Sequence, residues 1–375
     1  MIRPVLYVDL PGIIYALDRR ARMTDRAFAT FICAPDYEET HSGLFAVLQN
    51  LSPIRTSIRT WIAEEHWRMQ GIAQTRVRPH TGSWDLLYLA TLTNHEANSI
   101  DVLLSLMEES LNSAMMHGML RVFARTNEDA ATLELFQRAS FQCYARELLY
   151  VRESPVIATP EAEGFANQQL HLRRWQPLDT WGFSRLHDAT TPRRVQIAEM
   201  LGSDEVAHQY VPRMRSWRIP GIEPRDESFV VEEGARLVAW ARIRQGWAGL
   251  PHQLWMKIHP DCTDIAPEVL RFALGRLCQR GVLPSAAPQG SAVICQVRDY
   301  EGAAIDALRH EGFAHVDTKA ILVRHLTMRA FNERAVHSVE QARINYGVKG
   351  LGTVQSTPAH THIKRETLHA TSSDH

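Results

Sequence analysis

Apolar and polar residues alternate in the same order at two places in the chain. The segments IAEEHWRMQGIAQTRV (62–77) and VVEEGARLVAWARIRQ (230–245) each contain two β-rich runs separated by a short polar break, which is the pattern of a β-hairpin. The residues that coincide at a displacement of 168 positions are Glu64 and Glu232, Glu65 and Glu233, Arg68 and Arg236, and Ala73 and Ala241. The same displacement brings WDLLYLATL (84–92) onto HQLWMKIHP (252–260), which we predict as a third strand in each copy.

A second pair of matching segments follows the first pair. LRVFARTNEDAATLELFQRASF (120–141) and AVICQVRDYEGAAIDALRHEGF (292–313) each predict a strand, a polar turn and a helix, now displaced by 172 positions. Residues 142–151 and 314–326 alternate like strands directly afterwards. An insertion in PSAAPQG (284–290) accounts for the difference of four positions. Several matching blocks in one order indicate an internal duplication.

Each copy is predicted to run through helices, a hairpin, a strand, a helix, a strand, a helix and closing strands. Strand–helix–strand alternation requires a crossover and therefore a locally parallel pair, so we predict an α/β (α+β) fold with a mixed sheet. The predicted boundaries are 1–152 for the first domain, 153–167 for a linker rich in Pro, Ala, Glu and Gly, 168–329 for the second domain, and 330–375 for a tail. The tail is expected to hold a short helix (332–344) and then a mobile Ser/Thr/His-rich stretch.

Composition excludes several classes of protein. The 41 Lys and Arg residues nearly cancel the 42 Asp and Glu residues, which argues against a nucleic-acid binder or a membrane-surface binder. Five scattered cysteines without a CxxC pair, and tail histidines too loosely spaced for a ligand set, predict no metal site and a reducing compartment. Asp9 comes too early for a signal-peptide core, and no apolar run is long enough to span a membrane. We therefore expect a cytoplasmic protein.

Each copy resembles the GNAT (Gcn5-related N-acetyltransferase) fold, chiefly in its last strand–helix unit. That family has an Asn at the end of a strand, small residues at the start of the next helix and a closing Gly–Phe. The matching residues are Asn127, Ala130 and Phe141 in the first copy, and Asp299, Ala303, Gly312 and Phe313 in the second. The resemblance covers about 1–152 and 168–329. It implies two such folds in tandem, each a mostly antiparallel sheet with a splayed parallel pair and flanking helices.

The resemblance also implies a co-substrate, acetyl-CoA or another acyl-CoA, and a small-molecule or peptide amine as acceptor. In the family the pantetheine arm binds backbone groups of the first splayed strand, and the pyrophosphate binds a glycine-rich loop that opens the next helix. The positions that this implies for cofactor binding are Leu89, Ala90, Thr91, Ser99 and Asn127 in the first copy, and Lys257, Ile258 and Ala266 in the second.

Both candidate pyrophosphate loops depart from the family pattern because they are acidic. The first is EANSID (96–101) and the second is HPDCTDIAPEVL (259–270). A carboxylate close to a pyrophosphate costs on the order of 1 kcal/mol in a solvated groove. Asp101 and Asp264 are instead suited to cap the helices that follow them. We therefore predict that ordinary CoA binding is impaired or absent in each copy.

Proton transfer is the second departure. The tyrosine that protonates the departing thiolate in the family is replaced by Phe136 and Leu308, which carry no proton. Glu232, from the matched acidic pair, and His259, at the end of a splayed strand, are the candidate bases. The alternative for Glu232 is a solvated turn acid, and the alternative for His259 is a capping or packing residue.

Two functions of different classes follow from these features. The first is a GNAT-type N-acyltransferase with at least one degenerate copy. The alternative is a catalytically silent pair that serves as a ligand-binding or protein-interaction module, in one version with a peptide end bound in the empty cleft of one copy. The acceptor, the acyl donor, the competent copy and the oligomeric state are left open by the sequence.

Overall fold

A computed structural model describes most of the chain between its first residue and residue 326. The described residues are 1–9, 30–32, 58–66, 68–78, 81–91, 96–153, 170–201, 226–246, 251–278 and 292–326. All of them belong to one compact unit, Met1–Thr327. We refer to residues 1–153 as the first half and to residues 170–326 as the second half. The predicted linker beyond Glu153 and the predicted tail lie outside the described residues.

From the hairpin onward, the regular elements follow the predicted order in both halves. The strands are β1 (Ile2–Pro4), β2 (Thr30–Ile32), β3 (Ile58–Glu65), β4 (Arg68–Arg78), β5 (Ser83–Thr91), β6 (Arg121–Asn127), β7 (Gln142–Arg152), β8 (Leu170–Arg174), β9 (Asp226–Glu233), β10 (Arg236–Arg244), β11 (His252–Ile258), β12 (Val293–Arg298) and β13 (Ala314–His325). The α-helices are α1 (Glu96–Met116), α2 (Ala130–Arg138), α3 (Thr180–Thr190), α4 (Arg193–Glu199), α5 (Ala266–Cys278) and α6 (Gly302–His310). Short 3-10 helices span Tyr7–Asp9, Pro177–Asp179 and Pro260–Ile265. The helices predicted before the first hairpin lie outside the described residues, and β1, β2 and β8 were not predicted.

The two predicted hairpins are confirmed, and their turns match. β3 pairs with β4 and β9 pairs with β10, both antiparallel. The turn residues His66 and Gly234 both adopt the left-handed conformation, with φ of 48° and 61°. Glycine takes this conformation without steric cost, whereas histidine carries a modest one, so the second copy has the more relaxed turn.

In the described part of the chain, all the strands join one mixed sheet. The order is β1-β3-β4-β5-β6-β13-β7-β12-β11-β10-β9-β8, and β2 pairs with β5 beside this path. β5 pairs with β6 and β11 pairs with β12 in parallel, while the other described pairs are antiparallel. The predicted α/β class, with one parallel pair in each half, is confirmed.

The closing strands of the two halves are exchanged. β13 of the second half lies between β6 and β7 of the first half, and β7 lies between β12 and β13. Leu322 of β13 packs in the same apolar cluster as Trp84 and Phe136 of the first half. Tyr150 of β7 packs in the second half's cluster with Leu254. Each half therefore completes the other's core, and the predicted domain boundaries at 152 and 168 stay a prediction.

Helices cover both faces of the second half's strands. Met256 packs towards α5 and α6 in the large apolar cluster of this half. Trp240 packs on Phe183 of α3, with ring centroids 5.1 Å apart. Since successive strand residues point to opposite faces, α3 and α5 lie on opposite sides of the sheet. The side chain of Lys257, next to Met256, therefore points to the α3 side.

The same ion-pair latch ties the first strand of each half to its hairpin. Arg3 donates to both oxygens of Asp9, at 2.7 and 2.8 Å, and to Glu64 at 2.8 Å. In the second half Arg173 donates to both oxygens of Asp179, at 2.7 and 2.6 Å, and to Glu232. The recurrence of a three-residue contact in space supports the duplication that the sequence predicts.

The latch predicts a specific acid sensitivity. Hydrogen bonding to Arg3 lowers the pKa of Asp9, so its contribution is complete above the unfolded pKa near 4 and is lost as the pH falls through the lower folded pKa. We expect Arg3→Met to cost about 1–3 kcal/mol of unfolding free energy at pH 7 and less at pH 3. Urea unfolding at both pH values measures this difference. Arg138→Met, which removes an exposed i,i+4 pair, is the control, and an equal loss in both variants would contradict the latch.

Candidate functional site

The parallel strands of the second half separate after three paired residues. The pairing of β11 with β12 covers His252, Gln253 and Leu254 and ends at the Leu254–Cys295 pair. β11 continues to Ile258 and β12 continues to Arg298. The two strands thus enclose a gap at their carboxyl ends, which is the predicted splay, and a strand-to-helix loop opens α5 beyond it.

The direction of the backbone groups on β11 follows from its neighbours. His252 N donates to Ala292 O at 2.8 Å, and His259 N donates to Val238 O at 2.8 Å. Because the backbone groups of successive strand residues point to opposite edges, Met256 and Ile258 turn their N–H and C=O groups towards the gap. No strand in the described part of the chain pairs with this edge. It can therefore receive an extended ligand with amide groups.

The corresponding gap of the first half contains a strand. The pairing of β5 with β6 ends at Leu86 and Ala124, as in the second half. β2 then pairs antiparallel along β5, with Thr30 opposite Ala90, Phe31 opposite Leu89 and Ile32 opposite Tyr88. The backbone at Leu89 and Ala90, where the resemblance implies a pantetheine contact, thus has a protein strand beside it. The two halves differ most at this point.

A buried ion pair lies at the gap of the second half. Lys257, which is 3% exposed, donates from Nζ to Glu301 Oε1 at 2.8 Å. Glu301 precedes α6, so this contact connects β11 with the loop that follows β12. Burial opposes the charge of Lys257, but Glu301, together with Tyr300 and Glu199, outweighs burial and raises the pKa of the ammonium above its usual range. Lys257 is therefore charged at neutral pH.

Further titratable groups surround this pair on the α3 side. Arg298 of β12 lies 3.7 Å from Glu199 of α4, which also accepts a hydrogen bond from the Tyr144 hydroxyl at 3.0 Å. Burial, with the positive charges of Lys257 and Arg298, lowers the pKa of His187 to about 3. His187 is thus neutral throughout the physiological range. Clusters of buried, mutually perturbed groups are typical of functional sites.

The loop after β11 is held by its own contacts. The His259 side chain accepts from Asp261 N at 3.1 Å and contacts Arg236 through Nδ1 at 2.7 Å. Burial, followed by the charge of Arg236, lowers the pKa of His259. Ala266 is 1% exposed, and its amide donates to Thr263 O. Amides that bind the protein itself are poor diphosphate ligands, so this loop fits a pyrophosphate less well than the gap fits a pantetheine arm.

The structure places the other predicted residues as follows. Glu232 lies in the Arg173 latch, and its role as a base stays a prediction, as does that of His259. Asn127 ends β6 and accepts from Lys319 of β13. Ser99 lies in the first turns of α1, which begins at Glu96. The predicted loop at 96–101 is therefore helical, and the prediction that Asp101 caps the helix or lies in its first turn is wrong because the helix begins five residues earlier.

Phe136 and Leu308, which replace the family's tyrosine, are both 0% exposed. Sequence reasoning missed the side chains of Lys257 and Glu301, although it named Lys257 for its backbone. A signal was present, because a lysine inside the apolar run HQLWMKI (252–258) has to be buried with a partner. The partner could not be found, since it lies 44 residues further along the chain.

Two negative findings apply to the described ranges only. None of the helices described there is both long and apolar enough to cross a membrane. Over the same residues, no three His, Cys, Asp or Glu side chains come together as metal ligands.

Comparison with known proteins identifies the fold. No family model and no curated protein matches the chain. A tandem GNAT protein from the clavulanic acid biosynthesis pathway, solved without AcCoA, is similar over 87% of this chain and 98% of its own, with a TM-score of 0.53 and 12% identity. A GCN5-related N-acetyltransferase from Sphaerobacter thermophilus is similar over 87% and 95%, with a TM-score of 0.51 and 12% identity. The chain therefore has the fold of the tandem GNAT proteins, and the predicted likeness in fold is confirmed.

Proposed function

We propose that this chain, which shares its fold with tandem GNAT proteins, is an N-acyltransferase. It moves an acyl group from acetyl-CoA or another acyl-CoA to the amine of a small molecule or peptide. The second half holds the thioester in the gap between β11 and β12. The observation that carries the proposal is the edge at Met256 and Ile258, whose backbone groups face that gap and with which no described strand pairs.

The open edge suits the pantetheine arm for a physical reason. Pantetheine contains two amide groups, and an extended arm beside β11 can exchange hydrogen bonds with the strand as a further strand would. The same edge of the first half is paired with β2. We therefore propose two domains, 1–152 and 168–329, of which the second binds the co-substrate and the first supports it through β7. Three free cysteines among the described residues support a reducing, cytoplasmic location.

The acidic loop before α5 lowers the affinity for the diphosphate in this proposal. Asp264 is exposed in the 3-10 helix that leads into α5. Replacing its charge is expected to tighten acetyl-CoA binding about fivefold at low ionic strength, because one repulsive carboxylate is removed. Isothermal titration of Asp264→Asn against the wild type measures this. Asp306→Asn, on the exposed face of α6, should bind as the wild type does, and no gain in Asp264→Asn would contradict a diphosphate at this loop.

A ligand-binding module without catalysis is the second candidate function. The apolar side chains of Phe136 and Leu308 favour it, because neither of them can protonate a departing thiolate. The first half fits this description in particular, since β2 lies along its strand edge. The two functions predict different outcomes once an acyl-CoA is bound.

Calorimetric titration with acetyl-CoA, longer acyl-CoAs and free CoA tests the proposal. We expect one site per chain with micromolar affinity for at least one acyl-CoA. Incubation with a panel of amines, followed by mass spectrometry of the products, then separates transfer from binding alone. Absence of binding at millimolar acyl-CoA would overturn the proposal, and binding without transfer to any amine would favour the module.

A further inference from the structure

We propose that the Lys257 ammonium, held by Glu301, stabilises the thiolate that leaves when the acyl group is transferred in the second half. This inference rests on the proposed function and assigns the role of the missing tyrosine to a lysine on another element. Its basis is the buried pair between Nζ and Oε1 at 2.8 Å beside the β11–β12 gap.

The first half is an internal control for this assignment. The structural counterpart of Lys257 is Ala90, because Ile72 pairs with Ala90 in the first half as Trp240 pairs with Lys257 in the second. Asp129 corresponds to Glu301, since each residue directly precedes the helix that follows the parallel strand. Ala90 is fully buried beside Ile62 and Ile72, and Asp129 caps α2 by accepting from Thr132 N at 2.8 Å. The ion pair is thus absent from the half in which β2 pairs along the strand edge, and present where that edge is open.

The side chain of Glu301 binds Lys257 and does not cap α6. It occupies the N-cap position of α6, yet its side chain makes no capping hydrogen bond. Its carboxylate accepts instead from Lys257 Nζ at 2.8 Å and from Arg298 N at 2.9 Å. A cap of the Asp129 kind contributes about 1 kcal/mol, so the second half gives up local stability at this position. The orientation of Glu301 is therefore explained by Lys257 rather than by the helix.

Burial makes the lysine costly as a purely structural residue. An ammonium that is 3% exposed is tolerated only with a partner, and the apolar side chain of Ala90 fills the equivalent place in the first half. Next to a cation a thiol ionises more easily, since the charge stabilises the thiolate. The charged and titratable groups that face Lys257 are Glu301 and Tyr300 from the β12–α6 connection, Arg298 from β12, His187 from α3 and Glu199 from α4.

In the chemical step a negative charge develops on sulfur, and a cation beside the sulfur stabilises that charge. The amine nitrogen attacks the thioester carbonyl and forms the C–N bond, and the C–S bond breaks with its electron pair remaining on sulfur. The proton lost by the amine reaches sulfur through solvent, so that an amide and a thiol are the products. Lys257 keeps its proton throughout and acts through its charge. Backbone N–H groups of β11 can donate hydrogen bonds to the carbonyl oxygen, whereas Phe136 and Leu308 have neither a proton nor a charge that could stabilise sulfur.

The pKa of bound CoA tests this inference without knowledge of the acceptor. Thiolate absorbance is followed against pH for CoA on the full chain, with desulfo-CoA as the blank for the protein's own thiols. We expect the thiol ionisation constant of bound CoA to be at least about tenfold larger on the wild type than on Lys257→Met. Lys257→Met/Glu301→Gln, which leaves no unpaired charge, provides a folded comparison if the single variant is unstable. Arg138→Met, on an exposed face of α2, should match the wild type.

The outcomes separate this inference from the proposed function. Equal thiol pKa values on the wild type and on the Lys257 variants, with CoA bound to all of them, would overturn the lysine's role and leave the acyltransferase proposal standing. Failure of the wild type to bind CoA would overturn both. A thiol pKa that is lower on the wild type than on Lys257→Met, and equally low on Glu301→Asp, which keeps a carboxylate, would support the role of the Lys257–Glu301 pair.

Discussion

Leu322→Ala is expected to lower the free energy of unfolding by about 2–5 kcal/mol and to destabilise both halves together. Leu322 belongs to β13 of the second half but is 2% exposed in the core of the first, near Trp84 and Phe136. Deleting its buried methyl groups leaves a cavity beneath the first half's helices. Urea unfolding, followed by tryptophan fluorescence and by circular dichroism, measures the loss.

The exchanged strands determine the form of the transition. β13 pairs with β6 and β7, so the first half loses strand neighbours as soon as the second unfolds. We expect coincident transitions with both probes. Val316→Ala on the same strand is the control, because that side chain is 61% exposed. Two separate transitions, with Leu322→Ala affecting only one, would contradict a shared core.

Glu301→Gln is expected to cost about 3–5 kcal/mol, since it leaves the buried ammonium of Lys257 without its counter-charge. The double variant Lys257→Met/Glu301→Gln should be considerably more stable than Glu301→Gln, because the charge that needs a partner is gone. Urea unfolding at pH 7 of Glu301→Gln, Lys257→Met and the double variant gives the coupling free energy between the two residues.

A matched variant in the first half separates charge pairing from capping. Asp129→Asn occupies the equivalent place and retains a side chain that can cap α2, so it should cost well below 1 kcal/mol. A small cost for Glu301→Gln, similar to that of Asp129→Asn, would mean that water reaches the Lys257 pair. Such a result would also weaken the proposed role of the lysine at sulfur.

Local elements were predictable because their signals are local. The hairpins at β3–β4 and β9–β10 follow from alternation around a polar break, and α2 and α6 follow from apolar residues at helical spacing. The exchange of β7 and β13 has no local signal, since both segments carry only the general pattern of a strand, which does not specify a neighbour. Long-range register therefore had to come from the structure.

The candidate site was predicted in outline only. The position of the gap on β11 followed from the resemblance, and the acidity of the loops was evident in the sequence. The occupation of the first half's strand edge by β2 could not be inferred, because Thr30–Ile32 is only three residues long and lies 56 to 60 residues before its partners on β5. The positions of His259 and Glu232 depend on Arg236 and Arg173, which are contacts that a linear pattern does not specify.

Hydrogen–deuterium exchange with and without saturating acetyl-CoA tests the central claim most directly. The account predicts slower exchange over 255–258 of β11 when the ligand is bound, because the edge amides at Met256 and Ile258 gain partners. It predicts no change over 88–90 of β5, which β2 already pairs. Protection of 88–90, or unchanged exchange over 255–258 with ligand bound, would contradict it.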